Sequence, residues 1–426
     1  MRPGARAHAA MEILADMDAR KRPAADAIRD WALSHRFAGS KDRSAIGDLV
    51  FGALRWKASS AWRMGDDAPR ALVWGAKRWG FGETADAIAA EAEGDPHALA
   101  PSAVELAHLR GATLDQAPPW VRGDYPEWLD ASLARVFGEA RAEEGAAMAA
   151  PAPLDLRANA LKVTREKLIA ALSDSPRLAE PPAPTPYAPM GVRIPWRLGR
   201  SFAWASEQSH VKGWFEVQDE GSQLAALLCR AEPGMQAADV CAGGGGKTLA
   251  LAAAMENKGQ IYAFDVDGRR LAPLKERAER AGARNIQIRA PLRSRDALAD
   301  LRGKMDVVLV DAPCSGSGTW RRAPDTKWRL RENALAMRLR EQQEALALAA
   351  PLVKPGGRLV YVTCSVLPEE NEDAVAAFLA SHPSFAPVQS EGADHIPARR
   401  RGAALQFTPL QTGCDGFFVA AFRAGS

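Results

Sequence analysis

Between Gln236 and Ser365, four short apolar runs each end in residues able to do chemistry. Ala237-Ala238-Asp239-Val240 leads into Cys241-Ala-Gly-Gly-Gly-Gly-Lys-Thr248, and Gln260-Ile-Tyr-Ala-Phe264 leads into Asp265. Asp306-Val-Val-Leu-Val310 leads into Asp311-Ala-Pro-Cys-Ser-Gly-Ser-Gly-Thr319, and Arg358-Leu-Val-Tyr-Val362 leads into Thr363-Cys364-Ser365. Runs this short and this continuously apolar, alternating with helical segments, predict an α/β fold with a parallel sheet covered on both faces. Ligands of such doubly wound sheets bind at the carboxyl ends of the strands. All four clusters fall at those ends, so one edge of one sheet is the expected active site.

The rest of the chain divides around this region. Residues 1–125 read as a helical domain, with helical spacing over His8–Met17 and Ser44–Leu54. Its last part, 94–125, is rich in Gly and Pro and reads as a boundary. Residues 126–212 read as a small α+β domain. It starts with a helix over Glu127–Arg141, followed by a strand at Leu154–Arg157, a capped helix at Thr164–Leu172 and an alternating run from Val192 to Trp204. Residues 213–426 form the main domain; a helix starts at Gln218, and an apolar strand closes the chain after a turn at Thr408–Gly416.

Composition excludes several classes. There is no run of about 20 apolar residues to span a membrane, and the N-terminus lacks the apolar core of a secretory signal. Five scattered cysteines fit a reducing cytoplasm, not a disulfide framework. No Cys-x-x-Cys or His-x-x-x-His pair is present, so no metal is expected. A formal net charge of +3 says little about partners.

The glycine run Gly243–Gly246 permits close backbone approach to a ligand, and Lys247-Thr248 opens the next helix. A triphosphate-binding loop requires glycine five residues before Gly246, where this chain has Cys241. Asp265, about 24 residues after Cys241, is placed to bind ribose hydroxyls. A nucleoside without a phosphate chain, such as S-adenosylmethionine, fits both features. Cys229, Cys241 and Cys414 read as buried structural thiols. Cys314 and Cys364, each just past a strand, face one cleft if those strands are neighbours. Basic or N–H-rich surroundings make a thiol a nucleophile. A methyl donor beside a thiol suggests methylation of carbon 5 of a pyrimidine: thiolate addition at carbon 6 makes carbon 5 nucleophilic. Spacing alone leaves open which thiol attacks.

These motifs resemble those of the RNA cytosine-5 methyltransferase family. So do Gln218-Asp-Glu-Gly-Ser-Gln223, Asp415-Gly-Phe-Phe418 and Leu156-Arg-Ala-Asn-Ala-Leu-Lys162. Asp42–Arg55 is similar to the NusB-like helical domain of the RsmB-type branch, which modifies small-subunit ribosomal RNA. The resemblance implies a class I S-adenosylmethionine-dependent methyltransferase domain behind a NusB-like domain. It implies Cys364 as covalent nucleophile and Cys314 as its helper in proton handling and product release. Asp311 would contact the donor's methionine end and the target base, and Lys247 would orient the site. Cys241, Ala242, Gly243, Gly244, Gly245, Gly246, Lys247, Asp265 and Asp311 would hold the donor. Two departures stand out: the family loop usually has Pro or Ala at the position of Gly244, and no acid follows Ile286-Gln-Ile-Arg-Ala-Pro-Leu292 to meet the adenine. Asp296 is too distant for that role.

Local charge favours an RNA partner. Gly318–Arg340 carries 7 Lys or Arg against 2 Asp or Glu. Arg321, Arg322 and Lys327 are expected to grip phosphates, with Trp320 and Trp328 available for stacking. Met1–Arg70 holds 13 Lys or Arg against 9 Asp or Glu, with Lys41, Arg43, Arg55, Lys57 and Arg63 close in sequence. Arg157, Asn159 and Lys162 read as exposed polar residues. The expected partner is small-subunit ribosomal RNA, and the expected state is a cytoplasmic monomer. The alternatives are a transfer-RNA methyltransferase, a non-catalytic assembly factor, and a nucleotide triphosphatase, the last disfavoured by Cys241.

Overall fold

A computed structural model describes residues 1–291 and 296–425. Leu292, the last residue of the stretch read after the third strand, lies outside them. The chain forms two units: Met1–Ala150 with Trp320–Leu330, and Pro151–Thr319 with Arg331–Ser426.

The second unit begins with an antiparallel sheet of four strands: β1 (Leu154–Ala158), β2 (Ala183–Pro184), β3 (Gly191–Ile194) and β4 (Phe215–Val217), in the order β2-β3-β1-β4. The helix Arg165–Ser173 starts at Thr164, whose hydroxyl accepts from the Lys167 N–H at 3.2 Å. It packs Leu168 and Leu172 onto Leu156, Val192 and Phe215. The expected alternation from Val192 to Trp204 stops at Ile194, because Pro195 cannot donate to the ladder and turns the chain into a short helix, Trp196–Gly199. The sheet also reaches Val217, past the expected limit at 212.

The main sheet has nine strands: β5 (Gln236–Asp239), β6 (Gln260–Phe264), β7 (Ile286–Arg289), β8 (Met305–Asp311), β9 (Val353–Thr363), β10 (Phe385–Val388), β11 (Arg399–Arg401), β12 (Ala404–Phe407) and β13 (Phe417–Ala424). Their order is β11-β12-β13-β9-β8-β5-β6-β7, with β10 also paired to β13. The run β7-β6-β5-β8-β9 is parallel. Beyond β9 the sheet turns antiparallel, so it is mixed. Only a short helix, Pro409–Thr412, lies between β12 and β13, and a connection that short joins antiparallel strands, not parallel ones. Both faces are covered: Val308, Val310, Leu359 and Tyr361 lie in one apolar core, while Val307, Leu309, Val360 and Val362 lie in the other. From β5 the chain steps one way to β6 and β7, and the other way to β8 and β9. The switch point therefore lies beside the carboxyl end of β5, where the glycine run begins.

The first unit is helical. Pro3–Arg20 and Ser40–Arg55 bury Ile13, Leu14, Ile46, Leu49 and Val50 against Leu72 and Trp74. The expected boundary at 94–125 instead holds the helix Ala103–Gly111, opened by a Ser102–Glu105 capping box. The expected helix over Glu127–Arg141 breaks at Gly138, whose φ of +59° is in the left-handed region. Two helices result, Asp130–Phe137 and Arg141–Ala149, and both belong to this unit.

The unit also takes in Trp320–Leu330, which corrects the expected phosphate grip. Lys327 is 1% exposed and donates to the carbonyls of Arg55 at 2.8 Å and Asp124 at 2.5 Å. Arg321 is also buried, and its carbonyl accepts from Arg55 at 2.9 Å. Trp320 is buried, and Trp328 donates its indole N–H to the Leu54 carbonyl at 2.5 Å. Of the three basic residues only Arg322 is exposed. Arg55, part of the basic run expected at the surface, is buried and also donates to the Ala149 carbonyl at 2.8 Å.

Lys327→Ala removes the donor from two buried carbonyls and should cost about 2 kcal/mol, on the scale of an unsatisfied buried polar group. Urea unfolding followed by tryptophan fluorescence measures this. Unchanged stability with weakened RNA binding would restore the phosphate-grip role.

Candidate active site

The loop after β5 is shaped by its glycines. Gly243 and Gly245 have φ of +50° and +84°, values other residues adopt only at a cost. At Gly245 a Cβ would lie 2.1 Å from Leu274 Cδ1, so a larger residue in this turn must displace that leucine. The loop then opens the helix Gly246–Ala254. Two arginines hold its carbonyls: Arg157 from β1 donates to Gly246 at 2.8 Å, and Arg277 donates to Gly244 at 2.5 Å. Arg157 also donates to the Gln218 side chain, and Asn159 donates to the Ala281 carbonyl at 2.7 Å. Both are buried, which corrects their expected exposure: Arg157 joins the small sheet to the glycine loop, and Asn159 joins it to the end of the helix Ala272–Ala281.

Asp265 follows β6 as expected and is buried. Its carboxylate accepts from the Gly243 and Asp267 N–H groups, both at 3.0 Å, and lies 3.1 Å from the half-exposed Arg270 guanidinium. Beneath the loop, burial pushes the Asp239 carboxyl up to about 7, against the opposing hydrogen bond from Thr248, 2.7 Å away. Burial, with Asp239, Asp311 and Asp265 adding to it, pushes the Cys241 thiol well up, in keeping with a structural thiol. Cys241 and Ala242 serve this region through backbone: the Ala242 N–H donates to the Phe264 carbonyl at 2.9 Å.

Adjacent parallel strands bring the remaining predicted residues together. Asp311 pairs in register with Val362, so the loops that follow run side by side. The sulfurs of Cys314 and Cys364 are 3.3 Å apart. The hydrogen bond with Cys364, and then burial, raise the Cys314 thiol well above its ordinary value. Lys247 points back from the start of its helix and lies 2.8 Å from the Asp311 carboxylate. Burial pulls the Lys247 ammonium down. The charge and hydrogen bond of Asp311, with Cys364 and Asp239 behind them, outweigh that pull and hold Lys247 above its usual value. Its ammonium sits 5.1 Å from the Phe417 ring centroid. One edge therefore carries a fixed cation, a carboxylate and two touching thiols.

Sequence reasoning missed the polar network beneath these thiols. Glu370 is fully buried and accepts from the Ser315 N–H at 2.7 Å, from the Ser315 and Ser365 hydroxyls at 2.5 Å each, and from the Gln342 amide at 3.0 Å. Asn371 accepts from the Thr363 hydroxyl at 2.6 Å and donates to the Ser365 carbonyl at 3.0 Å. In the sequence these residues look like the acid-rich first turn of the helix Glu372–Ser381, which has its own explanation in the helix dipole. Among the described residues, no group of three or more His, Cys, Asp or Glu side chains is placed to hold a metal, and no helix is long and apolar enough to cross a membrane.

Comparison with known proteins agrees with this arrangement. Residues 226–423 match the family model described as 16S rRNA methyltransferase RsmB/F. A probable ribosomal RNA small subunit methyltransferase B from Synechocystis is 34% identical over 299 residues, covering 70% of this chain and 66% of the relative. A ribosomal RNA small subunit methyltransferase B from Sodalis glossinidius is 34% identical over 304 residues, with the same coverage. The chain thus spans just under two thirds of the length of these curated relatives. Among solved structures, PH0851 superposes with a TM-score of 0.72 and 25% identity, covering 99% of each chain. With its four sequence clusters assembled on one edge of the main sheet, the chain is similar, over residues 226–423, to the RsmB/F methyltransferase family.

Proposed function

We propose that this protein transfers a methyl group from S-adenosylmethionine to carbon 5 of a cytosine in small-subunit ribosomal RNA. The observation that carries the reading is the 3.3 Å contact between Cys314 and Cys364 beside the Lys247–Asp311 pair. Two adjacent thiols suit a reaction that adds a sulfur to the base and must later release it.

The residues fit the donor. The glycine turn leaves bare backbone at the switch point, Asp265 offers a carboxylate for the ribose, and Asp311 offers one for the methionine end. The donor supplies an electrophilic methyl on a sulfonium. The chain supplies the rest. Cys364, as thiolate, adds to carbon 6 of the cytosine, and the electron pair of the 5,6 double bond moves to carbon 5. Carbon 5 then takes the methyl. Loss of the carbon 5 proton and expulsion of the Cys364 thiolate restore the double bond. Cys314, held as a thiol against Cys364, gives its proton to the departing Cys364 sulfur and takes up the carbon 5 proton in its place. Lys247 stabilises negative charge as it develops and fixes Asp311. Arg322, exposed in the segment after the Cys314 loop, is the residue proposed to meet a phosphate. A cytosine within a helix must be extruded to reach this edge. The proposed setting is the cytoplasm, with the protein a monomer and without a metal; five scattered cysteines suit a reducing compartment.

Incubation with labelled donor and total bacterial RNA, resolved on a denaturing gel, tests the roles of the thiols. Cys364→Ala should abolish transfer and form no adduct, whereas Cys314→Ala should accumulate a covalent RNA–protein adduct. An adduct with Cys364→Ala would reverse the assignment. Gly245→Ala should weaken donor binding at least about tenfold in calorimetry, since the left-handed backbone alone costs about 1–2 kcal/mol. Wild-type affinity in that variant would remove the glycine loop from the donor site.

A further inference from the structure

We infer that Glu370 is a positioning residue that sets the separation of the two thiols, by binding the segment on the far side of each. The inference rests on the reaction proposed above. Glu370 stands at the far end of the loop that carries Cys364, between β9 and the helix Glu372–Ser381, yet it also binds the Cys314 loop. Ser315, directly after Cys314, gives it a backbone N–H at 2.7 Å and a hydroxyl at 2.5 Å. Ser365, directly after Cys364, gives it a hydroxyl at 2.5 Å. Gln342 completes the frame: its amide donates to Glu370 and to the carbonyl of Pro313, directly before Cys314, both at 3.0 Å. Cys314 is thus held on both sides by a frame that ends on the same carboxylate that holds the residue after Cys364.

The alternative is an acid that merely opens the helix Glu372–Ser381. Its bonds speak against that. The donors Glu370 engages come from the two loops and from Gln342, not from the first turn of that helix. The donors are also neutral. Burying a carboxylate among neutral donors is expensive compared with an apolar core of the same shape, so it contributes little stability for its cost. What it does contribute is geometry: several donors converging on two oxygens admit one arrangement of the loops. Thiol placement matters because a displacement of about 1 Å in a reacting group can cost about 100-fold in rate.

The test uses the full-length protein and two readouts. Glu370→Gln keeps the shape but turns an N–H donor toward serine and amide donors. Its kcat for methyl transfer should fall about 100-fold, while donor affinity, measured by calorimetry, stays within about twofold of wild type. Ser315→Ala and Ser365→Ala, which each remove one hydroxyl donor and leave the carboxylate in place, should each lower kcat about tenfold; they also carry the test if Glu370→Gln fails to fold. The second readout needs neither RNA nor donor. Dithiodipyridine converts the adjacent thiols to a Cys314–Cys364 disulfide with release of two thiopyridones. Mass spectrometry should find this crosslink about tenfold slower in each variant than in wild type. Wild-type crosslinking and kcat within about threefold of wild type, with only stability lowered, would reduce Glu370 to a core residue and overturn the inference. A wild-type protein that crosslinks rapidly, with variants that do not, but transfers no methyl to any RNA, would instead sink the proposed reaction and leave the positioning role standing.

Discussion

The parallel pairing of β8 with β9 is the constraint from which the site follows. Register fixes Asp311 opposite Val362. Three residues beyond one and two beyond the other, the chain reaches Cys314 and Cys364, whose sulfurs lie 3.3 Å apart. A slip of one residue would turn every side chain of a strand to the opposite face. Here that slip would exchange the two apolar cores that hold Val308 and Val310 on one side and Val307 and Leu309 on the other. The cost of that exchange protects the thiol geometry. Core packing and chemistry thus share one register.

Charge at this edge is handled by pairing and by burial. Lys247 is buried yet held as a cation because Asp311 lies 2.8 Å away. Asp239 has Thr248 as a neutral partner, and burial drives it up to about 7. Glu370 is also raised by burial, against the hydrogen bonds of Ser315, Ser365 and Gln342. A site that must move a proton and hold an anion benefits from groups whose preferences are set apart in this way. Arg157 and Arg277 extend the same logic outward, tying two loop carbonyls to the small sheet and to the helix Ala272–Ala281.

Much of the fold was legible in the sequence because each of the four runs had one physical explanation. A short, nearly all-apolar segment ending in glycine or a polar cluster is a buried strand, and β5, β6, β8 and β9 lie where those runs predict. Lys327 and Arg321 read as a nucleic-acid grip, and the structure places them otherwise: their segment folds into the helical unit, where backbone carbonyls take up Lys327. Glu370 was invisible for a related reason, since an acid before a helix already has an ordinary cause. Arg157 and Asn159 looked exposed because polarity predicts exposure only when no distant partner exists, and theirs lie far along the chain.

The sequence by itself determined which residues could do chemistry and on which ends of which strands they would stand, because local pattern sets strand identity and a strand's end follows from its length. Only the tertiary structure decided which strands are neighbours, which cations are buried, and which carboxylate joins the two cysteine loops. Those outcomes depend on hydrogen bonds and burial between segments far apart in the chain, whose energies are set by a dry interior that no local window of sequence contains.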